Sequence, residues 1–484
     1  MMSRTVLALA LAATLATPAW ADSTVHPDLT IYRSTSADLF SAANQGAIDA
    51  GHTVVHEQRT LQLQSGTHDI VISNLPDFID PEAVHLAFDS DKDQVLSQRL
   101  LLPSGQNGTL SGQIGKSVTV MGDSGQQLAQ GLLVQVNRDG SLVIGGDVFG
   151  PTVVRSYAAV KLTGGQVGGG TRLDLRVQAE HSGKAVARLT YPTAGIGWRA
   201  TYTGVLESGR HCRMRLDAKA SIANRSGRDW KDADIKLIAG APNFAEANRP
   251  HPVMMRAMAV PAAAAPPMPT QSTLGDYRSY QLPGAVDLPK GSVTLTPLYR
   301  ARTVSCQRTW LYQNGNTYQP MRPITTNNGG TSQHGPITSM LSFTAFDSFP
   351  AGNLRVLTMD KDGNAEFVGA GAVTDTPKGQ TVNLTLGTAF DLTGSRTQTS
   401  FKVNMTARTM DEGFQVTLTN AGATTRTVTV REHPWRWHNW QLTSSSITPS
   451  LQTPNTLEFQ VEVPAHGTAT LDYAIHYSWT TADG

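Results

Sequence analysis

The chain has 484 residues, with 39 Lys+Arg against 38 Asp+Glu. Such a balance offers no cationic surface to phosphate backbones and argues against a nucleic-acid partner. The length allows two or three domains, and 44 Gly with 26 Pro fit many short strands joined by tight turns.

Residues 1–21 read as a secretory signal peptide. Met1–Arg4 is short and basic, Thr5–Thr17 is apolar and uncharged, and Ala19-Trp20-Ala21 is a small-x-small cleavage site. The apolar run is too short to cross roughly 30 Å of hydrocarbon. No second run of transmembrane length follows, and no Cys after it offers a lipid anchor. The expected mature protein starts near Asp22, is periplasmic or secreted, and has a net charge of about zero, since losing Arg4 leaves 38 Lys+Arg against 38 Asp+Glu.

Residues 22–110 are expected to form an N-terminal β module. A helix is suggested only around Ala37–Ala50, where Gly46 weakens it. Thr53–Leu63, a Ser-Gly turn at 65–66 and Asp69–Ser73 have a hairpin pattern, and Val84–Phe88 and Val95–Leu102 flank a polar turn. Residues 111–163 hold short alternating strands with closely spaced turns, the pattern of a small SH3-like barrel. Gly164–Gly170 reads as a linker. Residues 171–484 resume longer strands and are expected to form a C-terminal β-sandwich region. A Pro/Ala/Met-rich stretch at about 242–273 interrupts them as a disordered insertion. The fold class is therefore all-β.

Two cysteines remain, Cys212 and Cys306. In an oxidising compartment they are disulfide candidates, with two separate buried thiols as the alternative.

Three segments carry a resemblance. They are Tyr191-Pro-Thr-Ala-Gly-Ile-Gly-Trp198-Arg-Ala-Thr-Tyr202, Ala223-Asn-Arg-Ser-Gly227-Arg-Asp-Trp230 through Gly240, and Phe349-Pro-Ala-Gly352-Asn-Leu-Arg-Val with its continuation to Leu386-Gly387. Together they resemble the bacterial envelope family designated DUF4139, a domain of unknown function that includes mucoidy-inhibitor-A-like proteins. The resemblance covers about 171–484. It implies a β-rich exported protein and carries over no catalytic residues. Read physically, Gly195 and Gly197 let the backbone bend before Trp198 anchors a strand, and Gly227 is free to take positive φ in a turn.

Other motifs have simpler readings. Gly122-Asp-Ser124-Gly125 resembles a serine-protease nucleophile segment but lacks its His setting, and turn chemistry explains it. Asp89-Ser-Asp91-Lys-Asp93 and Asp360-Lys-Asp362-Gly363-Asn364 imitate calcium loops with the wrong residues at the later positions, and read as hairpin turns. His251, Met254, Met255, Met258 and Met268 in the insertion supply soft atoms suited to Cu(I) without regular spacing. His433-Pro-Trp435-Arg-Trp437-His438-Asn-Trp440 is the most distinctive binding candidate. Trp435, Trp437 and Trp440, with His433 and His438, either stack on a sugar or a partner's apolar patch or fold back to cap the core, the commoner use of aromatics.

The expected function is a non-catalytic binding or scaffold module of the bacterial cell envelope, with no cofactor and no resident metal. An envelope protein or glycan is the expected partner, and the oligomeric state stays open. One alternative is an envelope enzyme acting on polysaccharide or peptidoglycan, using carboxylates such as Glu207, Asp217, Asp229 and Asp232. The other is a copper-handling protein.

Overall fold

The computed structural model describes residues 22–483 except 45, 102–109, 111–112, 138, 147–149, 163–170, 208–210, 241–267, 276, 316, 319 and 328–332. The expected signal peptide, the glycine linker and most of the expected insertion fall outside the described residues. The regular structure is almost all strand, 65% of residues against 1% helix, in keeping with the alternating sequence. It divides into two compact units. One takes the chain up to Arg199 with Ala220–Thr296, the other Ala200–Lys219 with Pro297–Gly484.

The first unit contains β1 (Asp22–Tyr32), the single-turn helix α1 (Ala37–Phe40), β2 (Thr53–Leu63), β3 (Gly66–Leu75), β4 (His85–Phe88) and β5 (Gln94–Leu101). Next come β6 (Ser117–Met121), β7 (Gln127–Val136), β8 (Leu142–Gly145), β9 (Thr152–Val154), β10 (Ala159–Leu162), β11 (Thr171–Ala179) and β12 (Gly183–Thr193). Both β13 (Ile196–Leu206) and β14 (Arg213–Asn224) are divided by the unit boundaries. The unit is completed by β15 (Trp230–Ala239), β16 (Thr270–Leu274), β17 (Tyr277–Gln281) and β18 (Val286–Leu288).

Its main sheet runs β16-β17-β15-β1-β2-β12-β4, with β18 also on β15. The pairing of β1 with β15 is parallel and that of β1 with β2 antiparallel. Strict alternation on β2 turns Val55, Glu57, Arg59 and Leu61 inward, so two charged residues enter the core and must find partners there. The expected hairpin of β2 with β3 does not form. Both edges of β2 are occupied, by β1 and β12, and β3 joins a separate sheet of order β3-β11-β5.

The strands β6 to β10 form their own sheet, of order β10-β6-β7-β8-β9. Val118, Val120, Leu133, Leu142, Ile144 and Val154 make its core. The expected barrel is not closed. Closure needs a ladder between the two end strands, and among the described residues β9 and β10 each pair on one side only. The expected disorder also stops short of its C-terminal end, because Thr270–Leu274 pairs antiparallel with β17 and adds β16 to that edge.

The second unit adds β19 (Ser292–Asn314), whose residues 292–296 fall in the first unit, β20 (Gln333–Thr344), β21 (Gly352–Met359), β22 (Ala365–Val373), β23 (Thr381–Asn404) and β24 (Thr409–Asn420). It ends with β25 (Arg426–Glu432), β26 (Trp440–Ser445), β27 (Leu451–Thr453), β28 (Thr456–Val463) and β29 (Gly467–Ser478). The sheet order is β22-β21-β13-β14-β19-β20-β23-β24-β29-β26, and β19 also branches to β25, followed by β28 and β27. The branch lies over the main sheet, with the Phe459 and Tyr473 ring centroids 5.7 Å apart. Between them sit Phe414, Val416, Val428, Val430, Val461 and Ile475.

Candidate functional site

The family-like segments turn out to hold the fold. Tyr191 from the first and Arg228 from the second meet on Glu57. Arg228 Nη1 and Nη2 donate to both carboxylate oxygens at 3.1 and 2.8 Å, Tyr191 Oη–H donates at 2.9 Å, and Arg59 Nη2 at 3.1 Å. All four side chains are buried. Burial pushes the Glu57 carboxyl up, but Arg228 and Arg59 outweigh it and hold the group below its ordinary value. The Arg228 guanidinium also lies 4.1 Å from the Trp230 ring centre. Backbone contact ties the same segments together. Gly195 (φ 84°) sits so close to Ser226 that a Cβ would come within 2.6 Å of its Cα, and Arg225 N–H donates to the Gly195 carbonyl at 2.6 Å.

In the second unit, Tyr202 Oη–H donates to the Pro350 carbonyl at 2.6 Å, joining the first segment to the third. Phe349 then packs on Tyr202, Tyr299, Phe343 and Phe346. These residues supply packing and buried pairing.

Cys212 and Cys306 are bonded to each other, 94 residues apart, and the Cys306 N–H donates to the Cys212 carbonyl at 3.0 Å. A loop of that length restricts the unfolded chain strongly. Replacing both by Ala is expected to cost the second unit about 3–5 kcal/mol. Denaturant unfolding of the oxidised protein and the variant checks this, and a difference under about 1 kcal/mol would contradict the entropic account.

The 433–440 segment connects β25 to β26. Trp437 is in the core of the second unit, while Trp435 and Trp440 are half-buried. Trp440 Nε1–H donates to the Pro454 carbonyl at 2.7 Å. The buried His433 ring has Nδ1 2.8 Å from the Asn455 carbonyl, so that nitrogen carries the proton. Arg436 is the pin of the segment: Nε contacts Glu412, and Nη1 donates to the carbonyls of Ile324 and Thr326 at 3.0 and 2.8 Å. Within the segment only His438 and Asn439 are exposed, and the His438 ring lies against Trp437 at 4.0 Å between centroids.

Other residues singled out by sequence have local partners. Ser124 bonds Gln126 in the β6–β7 turn. Asp360 accepts from the Asn364 and Asp362 N–H groups in the β21–β22 hairpin. Glu207 pairs with Arg213 at 3.2 Å and Asp217 with Lys219 at 3.3 Å. Asp229 accepts from the Lys290 N–H, and Asp232 takes a positive φ of 47° in β15. Of the insertion's sulfur and imidazole groups, only Met268 belongs to the described residues. Among the described residues no group of three or more His, Cys, Asp or Glu is placed to hold a metal ion. None of the described helices is long and apolar enough to cross a membrane.

What sequence reading missed is a cleft of about 310 Å³ in the second unit, at the lower end of the roughly 300–1,000 Å³ of small-molecule sites. Arg308, Trp310, Ser339, Phe390 and Arg426 line it. Trp310 on β19 is opposite Val428 on β25 in a parallel ladder. Arg308 and Arg426 each lie two residues earlier on those strands, so the ladder brings like charges together. Arg426 stands 4.5 Å over the Trp310 ring, and the other side of Trp310 packs on the core. Burial and then the Arg426 charge push the Arg308 guanidinium below its ordinary value. Among the described residues neither arginine has an ion-pair partner. Asp391 lines the same cleft outside ion-pair distance of both. Ser339 is 9% exposed, and among the described residues its Oγ has no hydrogen-bond partner. Phe390 is 97% exposed.

The signal for this site was in the sequence as a charge block. Residues 288–346 contain Lys290, Arg300, Arg302, Arg308 and Arg322 and no Asp or Glu, a bias hidden by the balanced total.

Comparison with curated proteins gives no match. The family profile described as "Domain of unknown function (DUF4139)" matches residues 187–481, which include all three signature segments, the disulfide and the whole cleft. The chain belongs to the DUF4139 family.

Proposed function

We propose that this protein is an exported component of the bacterial cell envelope that acts as a non-catalytic binding module, with the Trp310 cleft as its ligand site. One observation carries the reading. A concave, aromatic-walled surface holds two arginines without a counter-charge among the described residues, an arrangement that a ligand completes. Export is supported by the uncharged apolar stretch and small-x-small motif within residues 1–21, and by the Cys212–Cys306 disulfide, which persists in oxidising compartments.

The reading is tested by crosslinking cells that express the protein, purifying it, and quantifying what is carried with it. Trp310→Ala and Phe390→Ala variants are compared with the wild type. Phe390 is almost wholly exposed, so its removal leaves folding intact. Both variants are expected to lose capture several-fold with unchanged thermal unfolding for Phe390→Ala. Undiminished capture by both would remove the cleft as the binding site.

A further inference from the structure

We infer that the cleft recognises an oxyanion, a carboxylate or phosphate group, held between Arg308 and Arg426 with the Ser339 hydroxyl as an additional donor. The inference rests on the proposed binding role and names its ligand chemistry.

Three features point the same way. First, the ladder that sets Trp310 opposite Val428 puts two guanidinium groups at one end of the cleft. Like charges brought together in this way repel each other in the free protein. An anion turns the repulsion into two favourable contacts. Guanidinium forks match the planar oxygens of a carboxylate or two oxygens of a phosphate, with charge-assisted bonds about twice as strong as neutral ones. Second, the Ser339 Oγ is buried without a partner on the cleft wall. A buried hydroxyl left unpaired is costly, and an anion's oxygen would accept its proton. Third, the groups that would compete are elsewhere. The arginines Arg396, Arg431 and Arg436 all pair with glutamates, Glu432, Glu458 and Glu412, whereas Arg308 and Arg426 do not. Beyond the arginines, Trp310 and the exposed Phe390 offer apolar surface to the body that carries the anionic group.

The test is calorimetric titration of the whole mature protein with three probes: poly-L-glutamate for carboxylate, polyphosphate for phosphate, and dextran as a neutral polymer. Saturable binding to either anionic probe, weakened at least tenfold in the Arg308→Ala/Arg426→Ala double variant and by raised salt, is the expected result. The stronger of the two arms identifies the source of the oxyanion. Arg215→Ala, an exposed charge on β14 away from the cleft lining, should leave the affinity within twofold. Ser339→Ala is expected to weaken binding by a smaller factor than the double variant. If neither anionic probe binds saturably, or the double variant binds them as the wild type does, the inference is overturned. Loss of cellular capture in Phe390→Ala together with no anion binding would overturn the oxyanion and keep the cleft. Unchanged capture in Phe390→Ala and Trp310→Ala would overturn both.

Discussion

Glu57→Gln is expected to destabilise the first unit by about 3–5 kcal/mol at neutral pH, the cost of leaving buried cations without their counter-charge. Arg228 and Arg59 both lean on this carboxylate and are themselves buried, so the neutral amide strands two guanidinium groups in the core. The pH dependence has a definite sign. Burial raises Glu57, the two arginines lower it further, and the folded value lies under the ordinary 4.5. A depressed carboxyl contributes stability that is complete above the unfolded value and is lost as pH falls through the folded one. The gap between wild type and Glu57→Gln should therefore be full at pH 7 and narrow as the pH drops below 4.5. Chemical denaturation across that range measures it. A gap that stays constant into strong acid would mean that Glu57 is not ionised in the fold.

Trp198→Ala should cost the first unit about 3–5 kcal/mol, as large aromatic truncations in cores do. The ring is fully buried, meets Tyr280 edge-on at 6.0 Å between centroids, and donates Nε1–H to the Ile238 carbonyl at 2.9 Å. Truncation removes the packing and one of the two hydrogen bonds that carbonyl accepts, the other coming from the Arg33 N–H at 3.0 Å. Trp198→Phe keeps most of the packing and loses the donor, while the carbonyl keeps its bond from Arg33 N–H, so it should cost about 0.5–1.5 kcal/mol. Equal losses in the two variants would show that the hydrogen bond, and not the buried ring, is what matters. Urea unfolding followed by a probe in the first unit separates them.

The sequence made some of this legible and hid the rest, for physical reasons. Alternation at period two is a local property, so the all-β class and strands such as β2 could be read directly. The turn role of Gly227 was also local, and it is found at φ 82°. Strand partners are not local. The pattern of β2 and β3 fits a hairpin, yet β1 and β12 take both edges of β2. Closure of the small sheet likewise depends on whether β9 and β10 meet, which their turn-rich sequence does not encode. The 433–440 segment attracted attention for its three tryptophans. Its buried centre is Arg436, whose partners Glu412, Ile324 and Thr326 come from distant parts of the chain. The cleft was hidden for the same reason, since Arg308 and Arg426 become neighbours only through the parallel pairing of β19 with β25. Its one-dimensional trace is the acid-free stretch 288–346.

The most direct measurement places a photoreactive amino acid at Phe390, the exposed aromatic of the cleft, and in parallel at the exposed Phe367 on β22. Illumination in cells should give a discrete adduct from position 390 that disappears when Arg308 and Arg426 are both Ala, and none of that adduct from position 367. The same adduct from both positions, or one from 390 that persists without the two arginines, would contradict a binding function seated in this cleft.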